Sequence, residues 1–322
     1  MATRLFAAPS PHIHGGENTR RIMGDVVLAL LPALAVSTYV LGWRVLFITA
    51  VAVCSCVVFE YLIGRLFFKG RTTIGDLSAV VTGVLLAFNL PTGIPWWIVV
   101  IGAAVAIGAA VAIAIGKMTF GGLGCNPFNP ALTGRIFLLI AYPVQMTDWT
   151  TGVPDALSGS TILPSIKYNT ELVSQLDFMQ MLGGQMNGSM GEIGALALIL
   201  GGLYLLWRKV ISWHIPVAIL GTMAIFAACV GFSYGGSVVY ELPIFHILAG
   251  GALLGAIFMA TDYSTSPMTH KGMIIYGIGI GVITMIIRLW GAYPEGMSFA
   301  IFIMNAATPL INKYCRPKRF GC

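Results

Sequence analysis

Charge is what this chain has least of. Of its 322 residues, 18 are lysine or arginine and 12 are aspartate or glutamate, 9% in all. Soluble domains carry about 25% charged residues. With 57% hydrophobic residues and a mean hydropathy of +0.86, that scarcity excludes a soluble globular domain and leaves a polytopic membrane protein. Residues 1–18 lack an apolar run of signal-peptide length, so no cleavable signal is expected. The six cysteines avoid the only long polar segment, roughly 146–192, so no disulfide framework is expected either. The net charge of +6 is scattered between apolar spans rather than clustered, a membrane-topology pattern that argues against nucleic acid as a partner and for lipid.

What is there is a series of apolar runs. A bilayer core ~30 Å thick needs about 20 apolar residues per helix, with shorter spans tolerated. On that rule about ten spans are expected: 24–42, 45–64, 74–91, 96–116 and 131–146, then 192–207, 213–232, 244–262, 272–290 and 297–312. If the N-terminus is cytoplasmic, fourteen of the eighteen basic residues fall on that side. The other side receives Arg44, Lys167 and Arg288, with Arg135 inside a span and uncounted. This positive-inside bias predicts cytoplasmic termini and an outward-facing central loop. The expected organisation is a cytoplasmic arm (1–21), a first transmembrane half (22–146), an extracytoplasmic loop (147–191), a second half (192–314) and a cytoplasmic tail (315–322). Five spans per half place the second half in the opposite orientation. A gapless, weak match of Gly83–Pro95 to Gly255–Pro267 suggests an inverted repeat.

Some segments break helical regularity at membrane depth. In 121–130 (GGLGCNPFNP), two prolines and several glycines cannot continue a helix, and irregular backbone is not tolerated against lipid. Asn126 and Asn129 there either serve a polar ligand or satisfy loose backbone. Acidic residues in or beside spans are Asp25, Glu60, Asp76 and Asp262, functional candidates by default. For Asp25 and Asp76, which follow basic residues, a structural ion pair is the plainer account. Asp262 lies in a concentration of polar groups, TDYSTSP. Gly277, Gly279 and Gly281 have no preceding strand and point to close helix packing rather than nucleotide binding. Cys54 and Cys56, two apart on a helix, face apart and read as inert thiols more readily than as iron–sulfur ligands. His12 and His14, and the sequon at Asn187, are too weak to carry a site.

The central loop contains Asp155-Ala156-Leu157-Ser158-Gly159-Ser160-Thr161, a hydroxyl-rich, glycine-flexible stretch with one carboxylate. It is a plausible acceptor for covalent modification. The heptad resembles the flavinylation sequence D-x-x-[ST]-G-A-T of the membrane subunits of Rnf complexes and Na⁺-translocating NADH:quinone oxidoreductases. Asp155, Ser158, Gly159 and Thr161 match, and Ser160 replaces the usual alanine. GCNPFNPALTGR, GSMGEIGALALILGGLYLL, MATDYSTSP and YPEGMSFAIFIMN extend the resemblance over most of the chain. The short N-terminal arm favours the D-type of Rnf over the B-type of the sodium pump.

The resemblance implies ten helices in two inverted five-helix halves of a urea-transporter-like fold, in the bacterial inner membrane. It implies FMN joined to Thr161 by a phosphoester, added by a flavin transferase using FAD, and a noncovalent riboflavin deeper in the subunit. We expect that second flavin near Asn126, Asn129 and Asp262, on the physical grounds above. The implied role is an electron relay between ferredoxin and NAD⁺ with coupled Na⁺ or H⁺ movement, alongside the other Rnf subunits (A, B, C, E and G). The rival expectations are a quinone-reducing B-type subunit and a small-polar-solute transporter on the same architecture.

Overall fold

The computed structural model describes residues 18–67, 74–107, 124–148, 163, 166, 173, 178–183, 188–235, 238–291, 293 and 295–316. Among these every regular element is helical. In chain order they are α1 (Thr19–Leu41), α2 (Arg44–Phe67), α3 (Ser78–Phe88), α4 (Trp96–Ile107), α5 (Pro130–Ala141), α6 (Pro143–Thr147), α7 (Phe178–Leu182), α8 (Ala195–Trp207), α9 (His214–Gly231) and α10 (Val238–Leu248). There follow α11 (Ala252–Met259), α12 (His270–Trp290) and α13 (Met297–Tyr314). Within α11, Gly255–Met259 is wound as a π-helix.

Among the described residues, α1, α2, α9 and α12 are each long and apolar enough to cross a membrane, and α10 with α11 forms a fifth, bent candidate. Helices α3, α4, α5 and α8 are apolar but shorter. The protein is a multi-pass membrane protein. Its tryptophans mark the boundaries: Trp43, Trp96, Trp97, Trp207, Trp213 and Trp290 are all exposed, and each sits at or beside a helix end. Amphipathic indoles favour that depth, between hydrocarbon and water.

Packing follows the same order on either side of the central loop. Helix α2 packs on α3 and α4, and α4 on α5; later in the chain α9 packs on α10 and α12, and α12 on α13. The two sets meet where α1 crosses α8. There Asp25 of α1 is buried and accepts from the Tyr204 hydroxyl at 3.0 Å and from Arg208 Nε and Nη2 at 3.2 and 3.1 Å. Asp25 is thus in an ion pair, but with a partner 183 residues away rather than with the preceding arginines. Gly201 lies in the same crossing, where a Cβ would run into the Ala29 carbonyl oxygen. The glycine-rich face of α12 also serves packing, with Gly277 against Ala218 of α9. Cys56 is buried and Cys54 exposed, as their helical spacing requires.

The expected spans differ from the helices in instructive places. The span over 131–146 is interrupted at Tyr142 (φ −132°, ψ 58°), because the residue before a proline avoids the helical region. The span over 244–262 is two pieces bent by 61°. Gly250 and Gly251 adopt φ of +66° and +63° at the break, a left-handed turn that side chains resist.

Substituting Gly201→Val should destabilise the α1–α8 crossing by about 1–3 kcal/mol, the usual cost of overpacking. The expected result is a clearly lowered thermal unfolding midpoint in detergent, while Leu200→Val, on the exposed face of the same helix, leaves it nearly unchanged.

Candidate functional site

Residues from several separate elements line one cleft on the side where α1 begins. Ile22, Met23 and Val26 of α1 contribute, with Ser78 to Leu85 of α3 and the start of α5. The end of α8, Val210 and Ile211, and Phe258 to Ser264 complete it. Part of it is open to the outside. Asn126, Asn129 and Asp262, singled out in the sequence for separate reasons, all line it.

The two asparagines do different work. Asn129 is the N-cap of α5: its Oδ1 accepts from the amides of Ala131 and Leu132 at 3.0 and 3.4 Å. Its Nδ2 donates to the Met259 carbonyl at 3.1 Å, tying α5 to the end of α11. The Asn129 amide is therefore occupied by structure. Asn126 Nδ2 donates to the Phe128 carbonyl at 3.0 Å, while its Oδ1 is buried with no partner among the described residues. Buried polar atoms are nearly always paired, so Asn126 Oδ1 is an acceptor in want of a donor. Asp262 Oδ2 accepts from the Ser264 hydroxyl at 2.9 Å and the Thr265 hydroxyl at 3.4 Å, which fixes the carboxylate at the cleft wall. The combination is a mostly apolar cleft with a few placed polar groups, suited to a flat, partly polar ligand.

Asp155, Ser158, Gly159, Ser160 and Thr161 lie outside the described residues. The nearest described position is Leu163, which is buried against Gly250.

Deeper than the cleft runs a set of buried charges. Arg135 of α5 donates to Asn89 Oδ1 at the end of α3 and forms an ion pair with Glu295, just before α13. Asn89 in turn donates to the Leu85 carbonyl at 2.6 Å and approaches Met259 Sδ at 3.7 Å. Glu192 accepts from the Ser189 hydroxyl at 2.8 Å and acts electrostatically on both Arg135 and Arg288. Among the described residues no three histidines, cysteines or acids cluster as a metal site. Motif and charge patterning do not single these residues out, although a signal exists: an arginine inside an apolar span is a candidate by position alone, and Arg135 is one.

The family model described as NQR2, RnfD, RnfE matches residues 6–321. The chain belongs to this family. It is 49% identical over 321 residues to the D subunit of the Na⁺-translocating ferredoxin:NAD⁺ oxidoreductase complex of Acetobacterium woodii, covering 98% of this chain and 95% of that one. It is 42% identical over 323 residues to the D subunit of the proton-translocating ferredoxin:NAD⁺ oxidoreductase complex of Clostridium ljungdahlii, covering 97% and 95%. The D subunit of the ion-translocating oxidoreductase complex of Ectopseudomonas mendocina is 36% identical over 334 residues, with 97% and 94% covered. In this member of the NQR2, RnfD, RnfE family, the Asn126–Asn129 segment and Arg135 sit on one continuous stretch, 124–141, and Glu295 reaches Arg135 from just before α13.

Breaking the buried pair from one side, by Arg135→Gln or Glu295→Gln, should cost about 3–5 kcal/mol and sharply reduce folded protein. The double substitution Arg135→Met with Glu295→Leu should recover much of that loss, measured as the yield of monodisperse protein and its unfolding midpoint.

Proposed function

We propose that the chain is the D-type membrane subunit of an ion-translocating ferredoxin:NAD⁺ oxidoreductase complex. It carries FMN on Thr161 and relays electrons between neighbouring subunits. The observation that carries this is the near-full-length identity to two subunits named for that activity, joined to the heptad at Asp155–Thr161. Those relatives are named for different ions at comparable identity, so membership of the family does not by itself fix the coupling ion. The relatives named above are all of the D type, which favours this reading over a quinone-reducing B-type subunit. A solute transporter has no use for the heptad.

The full arrangement is ten spans in two inverted five-helix halves, urea-transporter-like, in the bacterial inner membrane. Both termini are cytoplasmic and residues 147–191 extracytoplasmic. The repeated packing order and the alignment of Gly83–Pro95 with Gly255–Pro267 support it, as does the basic bias of the opposite side. The partners are the remaining Rnf subunits (A, B, C, E and G) and a flavin transferase that modifies the outer loop.

FMN, when bound, accepts and returns one or two electrons. Thr161 Oγ1 would hold its phosphoryl group as an ester, made by the transferase from FAD with cleavage of the pyrophosphate and release of AMP, and Asp155, Ser158, Gly159 and Ser160 would be the sequence context that the transferase reads. A tether through the phosphate leaves the ring free to face partner redox centres. The cleft at Asn126 and Asp262 suits a noncovalent riboflavin: Asn126 Oδ1 is an unpaired acceptor for a ring imide N–H, and the apolar wall covers the ring faces. Asn129 keeps that wall in place through its cap and its bond to Met259.

Flavin fluorescence of the denatured chain on a gel, after expression with a flavin transferase, tests the central claim. The wild type should glow and Thr161→Val should be dark; a dark wild type, with the transferase active on a control, would sink it. Asn126→Leu should keep the gel band and lose most of the acid-extractable flavin from the native protein. Retention of that flavin would place the second site elsewhere.

A further inference from the structure

We propose that a second cleft, built around Arg288 and His246, is the seat of a phosphoryl anion, supplied by the ester on Thr161. The source of the anion rests on the flavin reading above; the seat itself does not. The cleft lies between the end of α9, α10 and the end of α12, and Leu163 and Ile166 of the central loop line it together with Tyr234 and Trp290.

Arg288 and His246 are both nine-tenths or more buried. Arg288 Nη1 donates to the His246 carbonyl at 2.6 Å, and Nη2 to the carbonyls of Ala249 and Gly250 at 2.8 and 3.0 Å. These bonds cap the C-terminal carbonyls of α10 at its break, a sound structural role for a cation. They leave Nε buried with no partner among the described residues. Among the described residues no carboxylate reaches Arg288 at ion-pair distance; Glu192 acts on it from farther away and shares its charge with Arg135.

The histidine adds a second unused donor. Arg288 Nη1 also approaches His246 Nδ1 at 3.4 Å. A guanidinium only donates, so in the tautomer that lets Nδ1 accept from it the ring proton resides on Nε2. His246 Nε2 is buried and also has no partner among the described residues. Two buried N–H groups, one of them cationic, thus lack acceptors in residues that line one cleft. An unmade hydrogen bond of this kind is expensive, and an oxyanion satisfies both donors while offsetting the charge.

Position names the source. The Leu163 side chain and Arg288 both crowd the space beside Gly250. Thr161 stands only two positions before Leu163 in the sequence, and two residues of chain span about 7 Å at most, so the ester is the source we assign.

The test is phosphate titration of the detergent-purified complex, read as the thermal unfolding midpoint, beside the denaturing gel. Inorganic phosphate should raise the midpoint of Thr161→Val with the logarithm of its concentration and leave the flavin-loaded wild type unmoved, its seat being filled. In the Thr161→Val background, adding His246→Leu should abolish the shift and His246→Gln, which keeps an N–H, should retain part of it; neither disturbs the Arg288 bonds to Ala249 and Gly250. No shift in Thr161→Val overturns the seat. Equal shifts in Thr161→Val and loaded wild type show a free-anion site and overturn the tether. A wild type dark on the gel refutes the flavin reading, and the His246 pair then judges the anion seat by itself.

Discussion

A helix that stops inside a membrane leaves carbonyls and amides with no water to bind, and the architecture of this chain is largely the set of answers to that demand. Where α3 ends, the carbonyls of Phe88 and Leu90 accept from the amides of Gly191 and Met190 at 2.8 and 3.4 Å. Where α5 begins, Asn129 caps its first amides. Where α10 ends, the guanidinium of Arg288 collects three carbonyls. The bonds at the end of α3 and the second bond of Asn129, to the Met259 carbonyl, cross between the two helix sets, so some of the breaks also stitch the sets together.

The same demand explains why polar chemistry is found at these places. Side chains brought in to satisfy backbone carry more donors and acceptors than the backbone uses. The surplus at Asn126 faces the cleft near the start of α1, and the surplus at Arg288 and His246 lies on the far side, beside the central loop.

Much of this is legible in the sequence, for a physical reason. Single prolines such as Pro32, Pro243 and Pro309 sit inside helices, but crowded prolines, glycines and polar residues at membrane depth announce a break, so 121–130 and the TDYSTSP segment point to Asn126, Asn129 and Asp262 on their own. The close-packed glycines of α12 are legible because small residues on an apolar helix have few other uses. Helix ends are not: hydropathy over 244–262 is the same whether the chain runs straight or bends by 61° at Gly250, since lipid and protein interior are equally apolar. Nor is the Arg135–Glu295 pair, whose partners lie 160 positions apart (295 minus 135). Spacing carries information only within an element. Which distant charge neutralises a buried arginine is decided by packing alone.

The tryptophans at the helix ends have an optical consequence. With Trp43, Trp96, Trp97, Trp207, Trp213 and Trp290 all exposed at the margins of the helices, their ultraviolet emission samples the headgroup zone and hardly the interior. Intrinsic fluorescence will therefore report on depth in the bilayer, detergent exchange and the approach of neighbouring subunits. Loosening of the buried core around Phe88, Met259 and Tyr276 will stay dark to it until the helices themselves part.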